Sequence, residues 1–123
     1  MKTFSILGQE INDNVKPYVI AEMSGNHNQS FEQAISIIRA ASRSGVNALK
    51  LQTYTPETIT LNCQSDDFKI SNSQSPWNNR YLYDLYSDAS MPWEWTKELQ
   101  KVAKKEGITL FSSPFDFSSI EFL

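Results

Sequence analysis

A chain of 123 residues with a formal net charge of −3 has no basic field to attract nucleic acid or an anionic lipid surface. Its composition, 40% hydrophobic and 20% charged, is that of a soluble globular protein, and no apolar run approaches the roughly 20 residues of a membrane span. The opening MKTFSIL holds too short an apolar stretch for a secretory signal, and the single cysteine, Cys63, makes no internal disulfide, so a cytoplasmic protein is expected.

In chain order, residues 4–7 and 10–11 read as a small hairpin turned at Gly8-Gln9, or further on around residues 12–14. Such a hairpin suits the N-terminal mouth of a barrel. The first core strand is expected over residues 18–23, after Pro17, and runs into a polar loop at 24–30. Ser30 followed three residues later by Gln33 is a capping box, so a helix opens at Phe31. Ala34, Ile35, Ile37, Ile38 and Ala41 give it an apolar face, and Gly45 stops it. A second strand follows over residues 46–52, at the spacing of a βαβ unit.

Residues 53–90 break this rhythm with a long, Asn- and Ser-rich connection in which 81–86 reads as a helical turn. A connection of that length is usually functional or disordered, and its aromatic content argues against disorder. Pro92 opens the next helix, expected over 93–106, with Trp95, Leu99, Val102 and Ala103 toward the core and Gly107 at its end. A third strand is expected over 108–112, and Ser118 with Glu121 forms a second capping box for a third helix. The order β-α-β-α-β-α predicts an α/β fold with a parallel sheet or barrel. A (β/α)8 TIM barrel takes roughly 250 residues, so this chain holds about three βα units of one, and the unfinished helix at its end suggests the N-terminal part of a larger protein.

Each of these strands ends in groups that ionise or hydrogen-bond, as catalytic residues do at the C-terminal rim of a barrel. Side chains alternate along a strand, which puts Glu22, then Lys50 and Gln52, and Ser113 (if the third strand extends that far) on the barrel's inner face. Lys50, an ammonium between two leucines, suits a phosphate or carboxylate ligand, or else makes a structural ion pair with Glu22. Glu22 is a catalytic carboxylate or a loop brace, and Gln52 and Ser113 bind a ligand or satisfy loop backbone. His27 is a metal ligand, a base, a phosphate donor or a brace of its loop. Asn26 and Asn28 are expected to hold that loop, and Asp116 to brace the one after the third strand. Trp95 belongs to the core by its helical spacing, whereas Trp77, in the long connection, is the one tryptophan expected near a ligand. Cys63 has no base beside it in sequence and is not expected to be a nucleophile.

IAEMSGNHNQ at residues 20–29, LKLQTYTPETITL at 49–61, LYDLYSDASMPWEW at 82–95 and FSSPFD at 111–116 resemble the sialic acid synthase family, and within it the pseudaminic branch. The resemblance implies a (β/α)8 barrel followed by a small antifreeze-like domain, the C-terminal barrel half and that domain being absent here. It implies condensation of phosphoenolpyruvate with an open-chain diacetamido sugar, 2,4-diacetamido-2,4,6-trideoxy-L-altrose. It also implies a divalent metal, Mn2+ or Mg2+, whose ligands lie outside this chain, and a homodimer. Carried over by position, Glu22 contacts the sugar acceptor, Lys50 pairs with phosphoenolpyruvate, and Gln52 lies between the two. Ser113 stands where the family usually has threonine and keeps the hydroxyl. Residues 74–86, QSPWNNRYLYDLY, depart from the family's glycine-containing segment. An N-acetylneuraminate or legionaminate synthase, or a truncated non-catalytic module binding sugar or phosphate, are the alternative readings.

Overall fold

The computed structural model describes residues 3–123. The chain begins with the expected hairpin, β1 (Phe4–Ile6) and β2 (Gln9–Ile11), paired antiparallel with Ile6 opposite Gln9. Its turn falls one residue earlier than the sequence suggested, at Leu7-Gly8. Both residues have positive φ, 49° and 84°, as a two-residue hairpin loop whose twist matches its strands requires. The Asn47 side-chain amide donates to Gln9 Oε1 at 2.8 Å, and its oxygen accepts from the Val19 N–H at 2.7 Å. That residue therefore ties the hairpin to the N-terminal ends of the core strands.

Three parallel strands form the sheet, in the order β3 (Ile20–Glu22), β4 (Ala48–Thr53) and β5 (Thr109–Pro114). Glu22 stands level with Lys50, and Lys50 with Phe111; Gln52 stands level with Ser113. β3 is shorter than the apolar run suggested, because Pro17 and Tyr18 precede the first ladder contacts. β5 is longer and reaches Pro114, so Ser113 does belong to a strand.

Helix α1 (Phe31–Ser44) opens where Ser30 accepts the Gln33 N–H at 3.2 Å and closes at Gly45, φ 78°. Helix α4 (Thr96–Glu106) ends the same way at Gly107, φ 70°. Its expected first turn is instead a 3-10 turn over Trp93–Trp95. The long connection folds into helix α2 (Pro56–Ile59), a 3-10 turn (Asp66–Phe68) and helix α3 (Leu82–Ala89). The last helix, α5 (Phe117–Phe122), starts earlier than the Ser118/Glu121 pattern suggested. Asp116 is its cap, accepting the Ser118 and Ser119 N–H groups, and Ser119 closes the box. A carboxylate two residues after the strand end takes the free amides.

The core lies between one face of the sheet and the pair α1 and α4. Ala34, Ile38 and Ala41 meet Leu49 and Leu51 of β4 and Leu99 and Ala103 of α4, with Met23, Met91 and Ile108 closing the ends. Ile35, Ile37, Val102 and Trp95 pack on it half-buried. The other face of the sheet stays open among the described residues, with Ile20 and Phe111 exposed on it.

Candidate active site at the C-terminal rim

Strand β4 builds the site by alternation. Leu49, Leu51 and Thr53 are buried on the helix side, so Lys50 and Gln52 must face the other way. Register then brings Glu22 of β3 beside them. Lys50 Nζ lies 3.3 Å from Glu22 Oε1, and the Gln52 amide donates to the same oxygen at 3.2 Å. One carboxylate oxygen thus takes both donors, which leaves the second oxygen free of them. Ser113 flanks Gln52 from β5. On the helix side the Thr53 and Ser112 hydroxyls bond each other at 2.6 Å, locking the ends of β4 and β5 together behind the site.

A cleft of about 840 Å³ opens beside Gln52. One wall is the loop after β3, from Ser24 to Gln29; the other is α3 together with the turn from Trp77 to Arg80. Ser24, Asn28 and Gln29 all have left-handed backbones, φ 49°, 48° and 57°. Clustered strain of this kind persists where surrounding contacts enforce it, commonly at functional sites. Gly25 lets that loop press against α3, since a Cβ there would sit 3.0 Å from the Ala89 Cβ. Arg80 donates to Asp88 at 2.5 Å, so the one cation lining the cleft among the described residues is held by a carboxylate also lining it.

The structure thus gathers Glu22, Lys50, Gln52 and Ser113 into one row, with the ion pair that the sequence left as one of two readings of Lys50. It does not bring His27 to that row. The imidazole is fully buried, edge-on to Trp95 at 5.7 Å, and its Nδ1 accepts the Gln29 N–H at 3.2 Å. That bond leaves the neutral ring's proton on Nε2, which meets no acceptor at full hydrogen-bond geometry among the described residues. Burial pushes its pKa below the ordinary 6.5, against a smaller opposing pull from the Ala89 backbone. In this structure His27 holds its loop through the bond to the Gln29 N–H. Asn26 does the same through its amide on the Met23 carbonyl at 2.9 Å, and Asp116 is a helix cap. Trp77, half-exposed, does line the cleft. Cys63 donates to the Ser65 hydroxyl at 3.4 Å, and Asp67 is close enough to act on its charge.

Sequence reasoning missed Arg80, Asp88 and Gln29 as parts of the site. Their partners lie in other segments or outside any strand pattern, and Gln29 meets α3 across about 60 residues of chain. Among the described residues no three His, Cys, Asp or Glu side chains cluster as a metal site would need.

Residues 37–123 match the NeuB family. The chain is 46% identical over 112 residues to a pseudaminic acid synthase of Campylobacter jejuni, covering 91% of this chain and 32% of that protein. It is 43% identical over 107 residues to the pseudaminic acid synthase of Helicobacter pylori, covering 87% of this chain and 31% of that protein. Among solved structures, the N-acetylneuraminic acid (sialic acid) synthetase of Leptospira borgpetersenii, in complex with citrate, superposes with a TM-score of 0.76. That match is 22% identical and covers 99% of this chain and 37% of the other, so it speaks to the fold. The chain spans about a third of the length of the curated relatives it matches. Three consecutive βα units with their polar groups on one rim, together with these matches, establish the conclusion: the chain belongs to the NeuB family, the family of sialic acid synthases.

Proposed function

We propose that these residues are the N-terminal third of a pseudaminic acid synthase, which condenses phosphoenolpyruvate with 2,4-diacetamido-2,4,6-trideoxy-L-altrose to give pseudaminate and phosphate. Two lines of support meet here: identity above 40% to proteins of that name, and the rim row itself. The single observation that carries the reading is the Glu22 carboxylate oxygen held at once by Lys50 and Gln52. In the reaction, C3 of phosphoenolpyruvate bonds to the sugar's aldehyde carbon, water adds at C2, and the C2–O bond to phosphate breaks.

An anionic donor entering the row meets the Lys50 ammonium, which exchanges its carboxylate partner for the incoming anion. Glu22, once released from Lys50, is free to accept a proton or hydrogen bond from the sugar or the attacking water. Gln52, between them, offers an amide to either substrate, and the Ser113 hydroxyl bonds the donor from the neighbouring strand. The cleft walled by Asn28, Trp77 and Arg80 receives the acceptor's substituents. His27 contributes by holding the loop that forms one wall. The described residues do not fit a divalent metal: the one histidine is buried against Trp95, and no cluster of ligating side chains surrounds it. The Mn2+ or Mg2+ implied by the family resemblance would take its ligands from further barrel strands. Those strands, an antifreeze-like domain, a homodimer and a cytoplasmic setting belong to the same proposal; no helix among the described residues is long and apolar enough to cross a membrane.

The test is phosphate release by the barrel-length protein carrying this chain, with phosphoenolpyruvate and each acceptor in turn. Release with the L-altro diacetamido sugar alone supports the reading. Release with N-acetylmannosamine or a bacillosamine-derived sugar instead moves the protein to another branch, and no release with any acceptor overturns catalysis.

A further inference from the structure

Helix α3 satisfies only part of its C-terminal carbonyls by itself: the Ser90 N–H donates to the Tyr86 carbonyl and the Ser90 hydroxyl to the Ser87 carbonyl at 3.2 Å, and the Asp88 carbonyl takes neither. Its C-cap, Ser90, is extended (φ −67°, ψ 135°) rather than left-handed, and its last turn holds no basic residue. The missing donor arrives from the loop after β3, about 60 residues away in the chain. The Gln29 side-chain amide donates to the Asp88 carbonyl at 2.9 Å and the Ser90 carbonyl at 2.5 Å, with the Ser87 carbonyl further off at 3.5 Å. Two amide hydrogens serve two carbonyls, and the third lies at the edge of reach.

The backbone is bent to aim this amide. Asn28 and Gln29 are consecutive left-handed residues, a conformation uncommon outside glycine and, for glutamine, one that surrounding contacts must hold. The His27 ring accepts the Gln29 N–H from within the core, and Gly25 clears the space for Ala89. From α3 the line of contacts continues into the cleft, because Asp88, whose carbonyl Gln29 holds, carries the carboxylate that fixes Arg80.

We propose that Gln29 is a positioning residue that sets the distance between the two walls of the cleft, and so governs acceptor-sugar binding without touching the row that binds the donor. The inference rests on the functional reading above, in which the cleft takes the acceptor. Gln29 belongs to the loop that follows Glu22, so α3 and Arg80 are located relative to the carboxylate itself rather than to the sheet at large.

The experiment compares Gln29→Glu and Gln29→Lys in the barrel-length protein. Glutamate keeps the shape but turns a donor into an acceptor facing carbonyls; lysine restores a donor. The expected result for Gln29→Glu is a KM for the acceptor raised by roughly 2- to 13-fold, as the loss of one such bond implies, with the KM for phosphoenolpyruvate unchanged. Gln29→Lys is expected to recover most of that loss. An equal change in both KM values, or no change in either, overturns the proposal. A readout independent of turnover is amide hydrogen exchange. Gln29→Glu is expected to speed exchange in the last turn of α3 while leaving α1 protected, and unchanged exchange in α3 overturns the proposal even if the wild-type protein shows no synthase activity.

Discussion

Lys50→Met separates the two roles that a lysine on a core strand can play. In the structure the ammonium lies 3.3 Å from Glu22, with 30% of the lysine side chain and 43% of the glutamate side chain still exposed. A pair so open to water is worth about 0–1 kcal/mol of stability. Removing it strands little, since Gln52 continues to donate to the same Glu22 oxygen. Methionine keeps the length of the stem and sits between Leu49 and Leu51 without disturbing their burial. The bond Lys50 would make to an anionic donor is of another size. A charge-assisted hydrogen bond contributes about 1.5–3 kcal/mol, which is roughly 10- to 150-fold in affinity. The expected outcome is a denaturation midpoint close to wild type together with a kcat/KM for phosphoenolpyruvate lower by one to two orders of magnitude. Steady-state phosphate release with phosphoenolpyruvate varied, beside a urea titration of the same preparations, gives both numbers. A stability loss beyond about 2 kcal/mol, with kcat/KM within about threefold of wild type, would refute the reasoning and leave Lys50 a structural ion-pair partner.

Three further outcomes are expected. In the barrel-length protein, Ile38→Ala removes a fully buried side chain between the sheet and α4 and should cost about 2–5 kcal/mol in urea unfolding; a loss under about 1 kcal/mol would mean that the α1 face is not part of the core. The His27 pKa is lower in the folded protein than its ordinary 6.5, so below that value the unfolded chain binds the extra proton. The stability that neutral His27 provides is therefore complete above about pH 6.5 and falls as the pH drops toward the folded value. Wild type should lose more Tm than His27→Gln between about pH 7.5 and about pH 5, and parallel curves would remove burial as the cause. Finally, the 123 residues by themselves should melt without a cooperative transition, because β3 and β5 each present an outer edge and Ile20, Phe111, Phe117 and Ile120 are exposed; a sharp calorimetric peak for the monomer would show that this reasoning fails.

What could be read from the sequence was whatever local chemistry decides. Ser30 with Gln33, and the glycines at 45 and 107, announced both ends of α1 and the end of α4, because caps and left-handed stops are properties of a few adjacent residues. The row at the rim was legible for a similar reason: a period of two fixes which side chains share a face, and the register of parallel strands did the rest. Local signals failed where two competed. Ser118 with Glu121 has the form of a capping box, but Asp116 lay nearer the strand end and took the amides. The cleft was legible only in part, through Trp77. Its walls come from the loop after Glu22 and from α3, and the amide that joins them crosses most of the long connection, so no window of sequence contains both halves.

The alternation of β4 from Leu49 to Thr53 also bears on how the chain finds its fold. Sliding β4 by one residue against its neighbours would turn Lys50 and Gln52 into the oily layer beneath α1 and α4 and push Leu49 and Leu51 out toward the rim. Burying an ammonium with no counter-charge costs several kcal/mol, more than any ladder hydrogen bond could return. The polar residues that line the rim therefore proofread the pairing as well: a misthreaded sheet would be rejected by the very groups that a correctly threaded one lines up there.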